Sequence, residues 1–352
     1  MNTKVGLAQV VLVMLIGRII VIFTAAVSGG YTEAEMLSVM LGLPLIFALG
    51  IPVILFCRKH RQKLGLLEGA NALGGSASKI ICVVYAAYFF LIGVIGVGKF
   101  DFFFGHIMPS MTYHISVAVI ILVPTLYAMC KGLEAILRAG SILAVVCLAA
   151  LILTVGALVP HMEVAYLNSP YLSDPERVLM GVITFVVQTP EIAAFGVLAP
   201  CIRGSVRRGY QIFCLLAAGA IFAMVTVTIG VLGNYGAVTK FPFYTATGVF
   251  QLGSFQNLEA LQVGVWTLGG FLKASFYLWL CRYCLQRAFP VFQKFLPTCG
   301  LAVVAALCAS AYAGNESRFP VSVLALALAL AAVVIPVILL ISNSSKKGEI
   351  TA

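Results

Sequence analysis

Residues 177–199 read RVLMGVITFVVQTPEIAAFGVLA. Roughly 20 mostly apolar residues are enough to cross a bilayer as a helix, and this run has that length. Its midpoint, however, is Gln188-Thr189-Pro190-Glu191. Proline lacks an N–H and collides with the preceding turn, so a helix breaks or kinks there. A carboxylate at the bilayer centre costs about 2.5–3.5 kcal/mol or more. Breaks of this kind free backbone groups that hold small polar ligands in transporters. The plainer explanation is that proline is ordinary in membrane helices, as Pro44, Pro52, Pro124 and Pro336 illustrate here.

The first apolar stretch has a similar centre. Residues 13–19 read VMLIGRI, which puts Gly17 and Arg18 near its midpoint. Glycine permits an unwound backbone, so a second interruption is expected at Gly17–Arg18. A breaker beside an ionisable residue in two helices is less ordinary than a breaker alone.

The rest of the 352-residue chain fits a membrane setting. Residues of the AVILMFWYC set make up 62%, mean hydropathy is +1.08, and only 10% of residues are charged. A soluble protein carries roughly 25% charged residues. A soluble enzyme, a disordered tail protein and a disulfide-stapled mini-protein are excluded. Ten stretches qualify as spans, at about 5–27, 35–56, 78–100, 111–129, 133–159, 177–199, 210–233, 259–284, 296–314 and 319–342. The first is longer than a signal-peptide core of about 7–15 residues and counts as a span. With the N-terminus inside, fourteen loop cations face the cytoplasm and three (Arg177, Lys240 and Arg318) face outward. The positive-inside rule therefore assigns both termini to the cytoplasm. The net charge of +10 reflects loops facing anionic lipid rather than nucleic acid.

Ten spans divide as five plus five, and an odd number per half inverts the second half. The expected fold is an all-α integral membrane protein of ten transmembrane helices. It is a 5+5 inverted repeat of the amino-acid permease type with broken helices 1 and 6. Residues 1–352 form one polytopic membrane domain. Repeat one covers about 5–159, repeat two about 177–342, and the cytoplasmic tail is 343–352.

Three charges fall deep in spans 1, 6 and 8: Arg18, Glu191 and Lys273. They must face the protein interior, either as a buried ion pair that fixes packing or as the wall of a polar pocket. Spans 1, 3, 6 and 8 line the pocket in this plan, so all three would converge. Two cations and one carboxylate leave a surplus positive charge. It suits a ligand carboxylate, or a neutral ligand if Lys273 loses its proton on burial; it also puts a side-chain cation, Arg18 or Lys273, where sodium-coupled relatives of the plan hold sodium. Tyr85 and Tyr88 of span 3 share a helical face, and Tyr88 is the candidate contact, although packing is the commoner role. The substrate-binding set is thus Gly17, Arg18, Tyr88, Gln188, Thr189, Pro190, Glu191 and Lys273. Lys99 and Arg138 can snorkel to the interface. Glu134 and Arg138, four apart, make a structural ion pair. The glycines from Gly93 to Gly98, with Gly269 and Gly270, permit close helix approach. Ten scattered cysteines and four histidines offer no complete metal set; Cys281 and Cys284 form a lone CxxC. No GxxxxGK[ST], HExxH or GxSxG motif is present. No catalytic residue, cofactor or metal is therefore called for.

Several segments together resemble the B subunit of spore germinant receptors, a branch of the amino acid–polyamine–organocation permeases. Pro124-Thr125 precedes Lys131-Gly132-Leu133-Glu134-Ala135-Ile136-Leu137-Arg138. Leu158-Val159-Pro160 leads into span 6, with Glu191 at the family's acidic position and Pro200 after it. Tyr235-Gly236, Phe241-Pro242, Leu258-Glu259-Ala260-Leu261, Trp266 and Phe271-Leu272-Lys273 then follow in the family's order. The likeness is best over about 120–285. Arg18 departs from it, standing where a small or apolar residue is expected after the glycine of span 1. The resemblance implies a permease-like fold that senses or passes a small nutrient such as an amino acid or nucleoside. It also implies an A-type membrane subunit and a C-type lipoprotein subunit as partners, and the spore inner membrane as location. Two other readings stand beside it: a free-standing proton-coupled amino-acid permease with Glu191 as proton carrier, and a scaffold subunit with a vestigial pocket.

Overall fold

The computed structural model describes residues 4–23, 33–107, 114–167, 175–249, 258–313 and 321–349. Lipid cannot hydrogen-bond a peptide group, so apolar stretches satisfy their backbones internally as helices. In chain order these are α1 (Leu7–Phe23), α2 (Glu33–Lys59), α3 (Leu66–Ala70), α4 (Gly75–Ile107), α5 (His114–Lys131), α6 (Leu133–Leu158) and α7 (Pro175–Val187). They continue with α8 (Glu191–Leu198), α9 (Val206–Leu232), α10 (Pro242–Val249), α11 (Leu258–Ala288), α12 (Phe295–Ala313), α13 (Val321–Ala329) and α14 (Ile335–Glu349). Among the described residues, seven helical segments are long and apolar enough to cross a membrane by length and composition. Leu7–Val21 and Val117–Lys131 are shorter apolar helices.

One expectation needs correction. α1 runs without interruption through Gly17 and Arg18. Glycine permits unwinding but removes no hydrogen bond, and every N–H along this stretch keeps its i−4 partner available. Prolines 44, 52 and 124 also sit inside continuous helices. The break falls where sequence and packing agree, at Gln188–Pro190 between α7 and α8.

A second irregularity lies between α13 and α14. Residues 330–334 form a π turn, in which Ile335 N–H bonds to Leu330 O. An α-helical bond would have gone to Ala331 O. That freed carbonyl instead accepts a 2.7 Å hydrogen bond from Tyr85 Oη of α4. Tyr85 is therefore a structural tie.

Close packing at glycines holds the centre together. A Cβ on Gly270 of α11 would lie 2.5 Å from the Phe100 ring of α4. One on Gly93 of α4 would lie 2.9 Å from Leu278 of α11, and one on Gly98 would lie 2.5 Å from Tyr312 of α12. α4 and α11 thus pack backbone against side chain along much of their length. A two-residue parallel pair joins β1 (Val5–Gly6) to β2 (Ile202–Arg203), at the start of α1 and just before α9.

Candidate functional site at the α7–α8 break

Pro190 has no N–H, and the chain turns instead of continuing. Thr189 N–H bonds to Val186 O at 3.1 Å and Ile192 N–H to Thr189 O at 3.5 Å. These tighter bonds leave Phe185 O and Gln188 O without the helical donors they would otherwise receive. Arg18 of α1 supplies them. Its Nη2 donates to Phe185 O at 2.5 Å and its Nη1 to Gln188 O at 2.7 Å. Its guanidinium also lies 4.7 Å from the centre of the Phe185 ring, within cation–π range. Thr189 Oγ1 adds a 3.3 Å bond to Phe185 O. The negative end of the half-helix α7 is thus neutralised by a fixed cation, in keeping with the helix dipole.

On the other side of the break, Glu191 opens α8 and is fully buried. Its Oε1 accepts a 2.7 Å hydrogen bond from Tyr277 Oη of α11. Its Oε2 has no hydrogen-bond partner among the described residues, and neither does the buried Tyr88 Oη of α4. Arg18 and Lys273 are the cations close enough to act on Glu191 electrostatically, and Tyr88 feels the same carboxylate. Lys273, 8% exposed, reaches this centre from α11. Its stem runs between two glycines: a Cβ on Gly17 would sit 3.7 Å from Lys273 Cγ, and one on Gly96 would sit 3.7 Å from Cδ. Among the described residues Lys273 makes no hydrogen bond or ion pair.

The structure brings Arg18, Tyr88, Thr189, Pro190, Glu191 and Lys273 to one place, with Gly17 beside Lys273 and Gln188 half-buried at the break. Glu134 and Arg138 lie apart from it, as an exposed pair at 2.5 Å near the start of α6. Cys281 and Cys284 are both buried on α11. Tyr277 was not legible as a site residue, although it lies four residues after Lys273 and so on the same helical face. A small cavity of about 20 Å³, little more than room for one water, lies elsewhere, between α1, α6 and α11. Ile16, Ile20, Leu151 and Trp266 line it, with Gln262 as its main polar group. Gln262 is itself engaged with Thr154 and with Trp266 Nε1.

The free hydrogen-bonding capacity at the break consists of a carboxylate oxygen, a phenol and an ammonium. Among the described residues this set can meet donors and acceptors of a small polar molecule together. An interrupted helix crossing an apolar bundle at such a cluster belongs to the transporter class of membrane proteins. In keeping with that, the fold is similar to a solved structure of Mhp1, a nucleobase-cation-symport-1 family transporter, in a closed conformation with bromovinylhydantoin bound. The TM-score is 0.58 at 16% identity, covering 95% of this chain and 78% of that one. The chain belongs to the spore germination protein family of permeases, whose sequence profile matches residues 3–317. No curated protein matches it.

Proposed function

We propose that this chain is the transporter-like membrane subunit of a spore germinant receptor. It binds a small nutrient, an amino acid or nucleoside, beside the α7–α8 break and so triggers germination. The observation that carries this reading is the buried, half-satisfied Glu191, with the unpartnered Tyr88 hydroxyl and the Lys273 ammonium within its electrostatic reach. A buried polar atom without a partner costs roughly 1–3 kcal/mol, so a ligand that supplies the missing bonds is favoured. Glu191 and Tyr88 receive the ligand's donors, and Lys273 receives its acceptor. Thr189 and Pro190 shape the break, Gln188 borders it, and Gly17 leaves room for the Lys273 stem.

Arg18 takes a different part. It holds the carbonyls of the broken helix as a bound cation would, so ligand binding is independent of sodium. The reading further assumes ten spans in two inverted halves, about 5–159 and 177–342, with both termini in the cytoplasm. The A-type membrane subunit and C-type lipoprotein are the expected partners at the spore inner membrane, where the family resemblance places such subunits.

A thermal-shift screen of amino acids and nucleosides, in sodium-free buffer on detergent-solubilised protein, tests this. One ligand should raise the unfolding midpoint in a dose-dependent way. Glu191→Gln should weaken that ligand by about tenfold or more, the cost of a lost charged hydrogen bond. Unchanged affinity in Glu191→Gln sinks the site; strict sodium dependence sinks the role given to Arg18.

A further inference from the structure

Three segments far apart in the chain meet at one end of the helix bundle, and all three are basic. The strand pair aligns Val5 with Ile202 and Gly6 with Arg203, which brings Lys4 close to Arg203. The turn after α2 is tied to the same place. With the Gln62 amide oriented to satisfy both groups, its Nε2 donates to Gly204 O at 2.6 Å. Its Oε1 accepts from Val206 N–H at 3.0 Å. Arg61 and Lys63 flank this tie on one segment, and Arg203, Arg207 and Arg208 flank it on the other. All six side chains are exposed. Among the described residues none of the six has an ion-pair partner. The nearest carboxylate in sequence, Glu68, is taken by Arg287 at 2.6 Å and by Gly65 N–H at 3.0 Å.

Local energetics oppose this arrangement. Like charges held together repel. Arg207 and Arg208 stand in the first turn of α9, where the helix dipole is already positive. Arg61 and Gln62 have φ of 48° and 58°, a conformation L residues with side chains adopt rarely. Loops that merely had to be basic could scatter these charges. Here a left-handed turn, bonded at both ends of one amide, gathers them. The cluster also lies where hydrocarbon ends, since α2 stops at Lys59 and α9 starts at Val206, and both belong to membrane-length segments.

We infer that this cluster is a binding site for anionic phospholipid headgroups, whose phosphates join the three basic segments. The site rests on the membrane setting of the chain and is independent of the nutrient site. Arginine reads phosphate well because its planar fork bonds two oxygens at once.

The test uses the full chain purified in neutral detergent. Its unfolding midpoint is followed while phosphatidylglycerol, phosphatidylcholine or inorganic phosphate is added, and bound lipid is counted by native mass spectrometry. Phosphatidylglycerol alone should raise the midpoint and remain bound. Each arginine near a membrane surface contributes about fivefold, so Arg203→Gln, Arg207→Gln and Arg208→Gln together should weaken phosphatidylglycerol on the order of a hundredfold. Gln62→Ala keeps every charge but unties the turn, and should weaken the lipid by several-fold. If the triple variant does not fold, Gln62→Ala and Arg203→Gln alone decide the matter. Lys131→Gln and Lys294→Gln, outside the cluster, should leave binding unchanged. The proposal is overturned if phosphatidylcholine acts as well, if inorganic phosphate gives the same shift, if the two control lysines matter equally, or if Gln62→Ala has no effect.

Discussion

Arg18 shows how one side chain is decided by where backbone bonds are missing. It donates to Phe185 O and Gln188 O because the Pro190 break has left those carbonyls without helical donors. Hydrogen bonds from a charged donor contribute about 1.5–3 kcal/mol each. Arg18→Met should therefore destabilise the protein by about 3–5 kcal/mol, seen as a large drop in unfolding midpoint in detergent. Arg18→Lys offers one compact charge in place of a fork and should recover only part of that loss. A midpoint unchanged in Arg18→Met would show that the break holds itself. Its neighbour behaves differently. Gly17 faces the Lys273 stem at ordinary contact distance, so Gly17→Ala should shift stability by less than about 1 kcal/mol.

Among the helices, proline alone does not decide where a span is interrupted. Pro44 and Pro52 stay inside α2 and Pro124 inside α5. At Pro190 the freed carbonyls have Arg18 and Thr189 to receive them, and there the helix opens. The same logic governs the π turn at 330–334, where Tyr85 takes the released carbonyl of Ala331. Tyr85→Phe leaves that buried carbonyl unpaired and should cost about 1–3 kcal/mol, measured by denaturation of the purified chain. The contact between α4 and α12 is equally specific. A methyl on Gly98 meets the Tyr312 ring at 2.5 Å and the Ala309 carbonyl at 2.9 Å. Because backbone cannot give way, Gly98→Ala should cost about 1–3 kcal/mol, well above Gly17→Ala. Equal effects from the two alanines would contradict this packing.

Across the whole molecule, α4 and α11, which carry Tyr88, Lys273 and Tyr277, are tied at their two ends by unlike chemistry. At one end α10 and the residues before it lie on the tip of α4. The Phe103 ring is 5.0 Å from Phe241 and 5.4 Å from Tyr244, and Lys240 Nζ sits 4.3 Å from the Phe102 ring centre. At the other end Arg287 of α11 bonds to Glu68 of α3 at 2.6 Å and to Tyr283 Oη at 2.9 Å. Such a partly exposed pair is worth about 0.2–1 kcal/mol. Glu68→Gln should therefore raise opening of that end by about two- to fivefold. The buried thiols Cys281 and Cys284 report it as faster labelling by a maleimide; an unchanged rate rules out a closing role for the pair.

Membrane residence, helical class, the break at Pro190 and the company of Arg18, Glu191 and Lys273 could all be read from the order of residues. Each follows from a local cost that lipid imposes on any charge or unpaired peptide group, whatever the fold around it. The continuity of α1, the partnership of Tyr277 with Glu191, the tie from Tyr85 to Ala331 and the basic cluster around Gln62 could not. They depend on which residues, separated by 86 positions for Tyr277 and Glu191 or 246 for Tyr85 and Ala331, are brought within hydrogen-bond reach. Packing of whole helices sets those distances, and no single stretch of the chain encodes them.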